Sequence, residues 1–110
     1  MSENNATTAA LAALQQVFAM ANRGTLNETD LAMVATTLVE ASNLPMASYL
    51  YETWLANSRS PRAHVIYADF GDVLVASNEP DRARSAFQSA LRLNPAFERA
   101  RAALAKLPAA

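Results

Sequence analysis

The feature that most limits the fold of this chain is a spacing pattern that occurs twice. The first series is Leu31, Val34, Ala35, Leu38, Ala47, Tyr51 and Trp54, and the second is Tyr67, Phe70, Gly71, Leu74, Ala83, Phe87 and Ala90, each 36 positions further along. Intervals of three and four residues indicate one apolar face of an α-helix. A single helix pair cannot bury such faces, so a recurring pair predicts an all-α solenoid whose repeats stack on one another.

The stop and start signals between the apolar stripes predict six helices and no β-sheet. Gly24 ends the first helix, and Asn27 precedes Asp30 in an arrangement that resembles a capping box. Pro45 and Pro80 suit the first turns of new helices, and Ser60 with Pro61 predicts another start of this kind. The predicted helices cover residues 7–23, 28–42, 45–57, 62–77, 80–93 and 98–107.

Composition and charge exclude several classes of protein. The absence of cysteine rules out disulfides, thiolate metal sites and cysteine catalysis, and it is compatible with a cytoplasmic protein. The start of the chain lacks the features of a signal peptide, and no apolar run approaches the roughly 18 residues that span a bilayer. A net charge of −1 gives no basic field for nucleic acid. We expect a soluble, cytoplasmic domain over residues 1–110 that binds neither nucleic acid nor membrane and carries no cofactor.

The charges are distributed unevenly along the chain. Residues 1–58 hold five acidic residues and one arginine, a net charge of −4, while residues 82–110 hold six basic residues and one glutamate, a net charge of +5. This polarity could orient a partner. The alternative interpretation is that the basic residues only solvate the last helices.

Residues 64–97 closely resemble the tetratricopeptide repeat. Tyr67, Phe70-Gly71 and Leu74 match its first helix, Ala83, Phe87 and Ala90 match its second helix, and Pro95 matches its terminating proline. The resemblance implies a right-handed α-solenoid in which Gly71 and Ala83 allow close helix approach. Residues 28–61 form a degenerate copy, because Trp54 stands where the second copy has Ala90. The N-terminal helix 7–23 precedes the repeats, and residues 98–107 form a partial third copy or a C-terminal capping helix.

A narrower resemblance concerns the TPR leader of bacterial SPINDLY-type or O-GlcNAc-transferase-like glycosyltransferases. It rests on Tyr49 to Leu55, Pro61, Tyr67 to Leu74 and Leu93-Asn94-Pro95-Ala96-Phe97. If it holds, glycosyl transfer belongs to residues outside this chain. Two alternatives to a scaffold or adaptor therefore stay open, namely a glycosyltransferase leader and a TPR-type secretion chaperone.

The family resemblance implies a concave surface that holds a protein or peptide. The residues expected to face this groove are Met33, Thr36, Glu40, Ala68, Asp69, Asp72, Val75 and Arg99, with Ala32 and Lys106 beside them. TPR domains that hold acidic chaperone C-termini use basic residues and asparagines there, whereas this chain has Ala68, Asp69 and Asp72. We therefore expect a partner that is apolar or basic where it meets Asp69 and Asp72. The competing interpretation is that these carboxylates only solvate the groove.

No pattern in the sequence indicates catalysis or metal binding. His64 is the only histidine, and helix geometry places Asp69 about 140° from it around the axis, so these side chains do not converge. No serine lies in a nucleophile elbow, and the two glycines, Gly24 and Gly71, are too few for a phosphate loop. We expect no enzymatic activity.

Two further surfaces are candidates for contact with other molecules. Tyr49 is expected to face outward, unlike Tyr51 and Trp54 on the core stripe. The alanine-rich N-terminal helix is apolar over a broad face and requires cover. It could pack as a cap on the first repeat, or it could pair with its copy in a homodimer.

Overall fold

The computed structural model describes residues 2–108, with side chains from Ala10 onward, and contains six helices. In chain order these are α1 (Ser2–Arg23), α2 (Glu28–Glu40), α3 (Leu44–Asn57), α4 (Ala63–Ala76), α5 (Pro80–Leu93) and α6 (Glu98–Lys106). No strand occurs within residues 2–108. The predicted all-α class and the six helices are confirmed, although α1 begins five residues earlier than predicted. Across this part of the chain, no helix is both long enough and apolar enough to cross a membrane.

Local signals set most of the helix ends. The side-chain oxygen of Asn27 accepts a hydrogen bond from the backbone N–H of Asp30 at 2.8 Å, and the Asn27 amide donates to the Asp30 carboxylate at 3.1 Å. Gly24 ends α1 with a φ of 72°, and an ideal Cβ there would lie 2.5 Å from the carbonyl oxygen of Asn57. A side chain at position 24 is therefore excluded by both conformation and space.

The turns after α2 and α4 have the same geometry 36 residues apart. Ser42 and Asn78 adopt left-handed conformations, with φ values of 61° and 60°. The following N–H groups, of Asn43 and Glu79, donate to carbonyls five residues earlier at 2.8 and 2.9 Å. This is the Schellman arrangement that satisfies the last carbonyls of a helix. The period read from the apolar residues is thus repeated in the backbone of the turns.

The predicted start of α4 is wrong by one residue, and Pro61 does not open the helix. Pro61 and Arg62 form a turn, and the helix begins at Ala63. The Ser60 hydroxyl accepts from the N–H of Arg62 at 3.0 Å and donates to the carboxylate of Glu28 at the start of α2. Ser60 therefore stabilises the turn before α4 and links it to α2.

The helices form two layers. In the first layer, the ring of Phe18 on α1 stacks on Tyr49 of α3 at 5.3 Å between centroids, and Arg82 of α5 pairs with Glu52 of α3. This layer contains α1, α3 and α5. The packing of α1 on α3 agrees with the expectation that the N-terminal helix covers the first repeat.

The second layer contains α2, α4 and α6. The ring edge of His64 at the start of α4 meets Phe97, just before α6, at 4.9 Å, and Arg99 of α6 reaches Asp69 of α4 at 2.7 Å. The stack is elongated, with principal extents of 51 × 27 × 17 Å. The aromatic contact and the ion pair thus join α4 to α6 within this layer.

Packing in the core explains why the repeat has small side chains at some positions and large side chains at others. Phe87 of α5 is fully buried, and an ideal Cβ at Gly71 of α4 would lie 2.6 Å from its ring. Only glycine therefore permits this approach of α4 to α5. In the first repeat, buried Trp54 replaces the small counterpart Ala90, and its indole N–H donates to the carbonyl of Leu26 at 2.7 Å. The tryptophan thus joins α3 to the loop between α1 and α2.

Candidate protein-binding surface

The exposed face of the second layer carries most of the residues predicted to line a groove. On α2, Met33 has 59% of its surface exposed, and Thr36 and Glu40 are exposed beside it. On α4, Val75 is 48% exposed. Met33 and Val75 are thus large apolar side chains left in solvent on two helices of this layer.

Ala68 does not belong to this face. It was expected to line the groove, but it is fully buried in the core. The spacing from Tyr67 and Phe70 could not distinguish an inward from an outward alanine, because a methyl group suits both environments. The prediction for Ala68 is therefore wrong, and its role is packing.

Asp69 and Asp72 on α4 share one guanidinium nitrogen of Arg99 on α6. The distances are 2.7 Å to Asp69 and 2.5 Å to Asp72. Partial burial of Arg99 lowers its pKa, but the hydrogen bonds from the two carboxylates and their negative charges outweigh this and raise it overall. All three residues were predicted to face the groove, but their pairing with one another was not predicted. The carboxylates therefore already hold a cation from their own chain.

Tyr51 of α3 lies behind this cluster and was assigned only to the core. Burial raises the pKa of its phenol to about 12, and the negative charge of Asp69 adds to the increase. The ring is 6% exposed and lies 6.1 Å from the ring of Phe70. Tyr51 therefore stays protonated and connects the core to the charged cluster.

A shallow cavity of about 380 Å³, the α4–α6 trough, adjoins the charged cluster. Its lining residues are Asp72, Val75, Phe87, Arg99, Ala102, Ala103, Lys106 and Leu107. Sequence reasoning missed Ala102, Ala103 and Leu107, although alanines between Arg99 and Lys106 on one helical face were an available signal. The trough has apolar walls with charged groups at its edge, a combination that small pockets use to hold one apolar side chain and to orient it.

The uneven charge distribution of the sequence serves in part to join helices of this chain. Arg82 of α5 pairs with Glu52 of α3 and with Glu79. Its guanidinium also lies 5.9 Å from the centre of the Phe70 ring. The basic second half and the acidic first half of the chain therefore meet at Arg82 and Glu52.

Tyr49 faces outward in the first layer, as predicted, with 61% of its surface exposed. It borders a cavity of about 590 Å³ between α3 and the turn from α4 to α5, which Glu52 and Arg82 also line. These two charged groups are paired with each other. The charges of Glu52 and Arg82 therefore compensate each other at this cavity. The ring of Tyr49 stacks on the ring of Phe18.

His64 has a packing role in the structure. Its ring meets Phe97 edge-on, at an interplanar angle of 90°. Among the side chains of residues 10–108, no three His, Cys, Asp or Glu residues are grouped closely enough to hold a metal ion. The contact with Phe97 instead joins the first turn of α4 to the segment before α6.

Stacked antiparallel helix pairs with an exposed face built from alternate helices define a helical-repeat protein. A family model described as a tetratricopeptide repeat matches residues 61–107, which contain α4, α5 and α6. These residues therefore match the tetratricopeptide repeat family, and the family resemblance seen in the sequence is confirmed there. No curated protein and no solved structure matches the chain. The degenerate copy at 28–61 and the narrower resemblance to glycosyltransferase leaders stay predictions.

Proposed function

We propose that this chain is a scaffold or adaptor that binds a protein or peptide along the exposed face of α2, α4 and α6, and that it catalyses no reaction itself. Tetratricopeptide repeats generally act as protein-interaction modules, which supports the general role. The single observation that carries the specific surface is the α4–α6 trough, where apolar walls adjoin the paired Arg99.

The charges on this face favour a particular partner chemistry. Asp69 and Asp72 together carry two negative charges and Arg99 carries one positive charge, so this cluster keeps a net charge of −1. A cationic side chain of the partner would have to share the carboxylates with Arg99, which weakens the attraction expected from the sequence. An apolar side chain can enter the trough over Val75 without displacing any ion pair. We therefore expect an apolar anchor to contribute more than a basic one.

A site-specific photo-cross-linker tests this surface. The reactive residue is placed at Val75 on the exposed face of the second layer, and at Gln88 on α5 as a matched control, since both positions are exposed. The chain is then irradiated in lysate of its source organism. We expect a discrete cross-linked product from Val75 and not from Gln88. Equal products from both positions, or a product from Gln88 alone, would contradict the proposed surface.

A substitution supplies the quantitative test. Val75→Glu places a carboxylate in the trough beside Asp72, and we expect the captured partner to bind about ten-fold or more weakly, as is usual when an apolar contact is lost in a binding centre. Gln88→Glu is the control and should leave binding unchanged. The captured protein also separates the alternatives, because a glycosyltransferase, an export substrate or a member of another complex would each identify a different role.

A further inference from the structure

A second exposed groove lies at the opposite end of the stack, between α1 and α2. Its volume is about 340 Å³, and it is lined by Ala10, Ala13, Leu14, Val17, Met33, Val34, Thr37 and Leu38. None of these residues is charged, and the hydroxyl of Thr37 donates to the carbonyl of Met33 at 2.9 Å within its own helix. The groove therefore favours an apolar, uncharged occupant.

The residues of α1 that line the groove lie on the same face of the helix as a residue that is fully buried near its C-terminal end. Ala21 near the end of α1 is fully buried, and Ala10, Leu14 and Val17 precede it on the same helical face at intervals of four, three and four residues. Leu11, at the edge of this face, is 57% exposed. Leu14 and Val17 are half-buried and pack against the core, whereas Ala10 and Ala13 are exposed. The own-chain packing of α1 therefore becomes less complete from Ala21 toward Ala10, and the groove stays open there.

The charge pattern of α1 points to a second copy of the chain as the occupant. Residues 4–22 contain no charged residue, and neither do residues 31–39 on α2. The residues that flank the uncharged run have opposite charges, Glu3 before it and Arg23 after it. If two α1 helices run antiparallel with Ala13 at their crossing, position 3 of each copy comes level with position 23 of the other. A parallel pair would bring like charges level instead, which is unfavourable.

We propose that two copies of this chain associate about a two-fold axis at Ala13, with α1 of each copy lying in the groove between α1 and α2 of the other. The small side chains of Ala10 and Ala13 allow the helix axes to approach closely, and the larger Leu14 and Met33 fill the space on either side. The four helices form a bundle whose interface is the same on both copies. This surface shares Met33 of α2 with the proposed partner-binding face, but it shares no residue with the α4–α6 trough, which carries the proposed function. The inference therefore does not depend on the proposed function.

Light scattering and sedimentation of the whole chain over a dilution series test the association. We expect a dimer, and we expect Ala13→Glu to raise its dissociation constant about 100-fold or more, because the substitution brings two carboxylates together at the axis. Ala13 is exposed in the single chain, so the variant should keep the helical circular dichroism of the parent. The control is Leu93→Glu, at a residue that is 56% exposed on α5, and it should leave the dimer intact. A parent chain that stays monomeric at the highest attainable concentration, or a dimer that Ala13→Glu does not weaken, would overturn the proposal.

Cysteine cross-linking tests the direction and register of the pair, since the chain has no cysteine of its own. In the proposed register, Ala13→Cys brings two thiols together at the axis, whereas Val17→Cys places them about 12 Å apart along it. We expect rapid oxidation to a linked dimer for Ala13→Cys only. Gln88→Cys, at an exposed position on α5, gives the background of random collision. Equal cross-linking at positions 13 and 17 would indicate a parallel pair, and cross-linking of Ala13→Cys at the background rate would show that α1 does not form the interface.

Discussion

The contact between Gly71 and Phe87 makes substitution at position 71 a direct measure of how closely α4 approaches α5. In Gly71→Ala the new Cβ would lie 2.6 Å from two carbons of a ring that is fully buried. Such overpacking costs about 1–3 kcal/mol, because a buried ring has little space in which to move. Alanine also stabilises a helix interior by about 1 kcal/mol relative to glycine. The two terms together predict a net loss of up to about 2 kcal/mol.

The assay is urea unfolding followed by circular dichroism and by the fluorescence of Trp54. If the unfolding is followed by heating instead, a loss of 1 kcal/mol in the free energy of unfolding lowers the melting temperature of a chain of this length by about 4 °C. The same substitution in a Phe87→Leu background should lose its cost and stabilise by up to about 1 kcal/mol, since the shorter side chain leaves room for the methyl group. Stabilisation by Gly71→Ala in the parent chain, or an equal effect in both backgrounds, would refute the close approach of the two helices.

Substitutions at three further positions test other contacts by urea unfolding, followed by circular dichroism because Trp54, the only tryptophan, is itself one of these positions. Trp54→Phe should cost about 1–3 kcal/mol, because it leaves the buried carbonyl of Leu26 without its donor; no loss would show that this hydrogen bond does not form. Asn27→Ala should cost about 1 kcal/mol by removing the cap of α2, whereas Asn27→Ser should cost less, and equal losses would argue against capping. The raised pKa of Tyr51 stabilises the fold at pH values below 10. This contribution should be lost as the pH rises from 10 towards about 12, by at most about 1.4 kcal/mol per pH unit, and Tyr51→Phe should remove that slope; an unchanged slope would contradict the assignment.

The repeat and the helix boundaries could be predicted because their causes are local. An asparagine cap, a glycine with a positive φ and a proline in a first turn act within one or two turns of helix, so their effects can be read from neighbouring residues. The start of α4 was predicted wrongly for the opposite reason. The Ser60 hydroxyl contacts Glu28, which is 32 residues away in the chain. Such a contact cannot be predicted from the residues that neighbour Ser60.

The candidate surface could be predicted in outline but not in its chemistry. Met33 and Val75 are exposed, as a place in the groove would require, and their role in binding stays a prediction. Ala68 was assigned to the wrong side because alanine is accepted in both environments. The pairing of Arg99 with Asp69 and Asp72 depends on how α6 lies against α4, and the identity of the three residues does not determine that placement.

The amino-acid sequence by itself determined that this chain forms helices, where most of them end, and that they pair with a period of 36 residues, since these properties depend on side chains within a few turns of each other. Only the tertiary structure decided which polar groups stay available to a partner and which apolar faces stay uncovered. Both depend on contacts between different helices, such as those of Arg99 with Asp69 and Asp72, which lie 30 and 27 positions away. A small change in the angle between two helices moves such a side chain by several ångströms. The ion-paired carboxylates of α4 and the open groove between α1 and α2 are therefore properties of the folded stack.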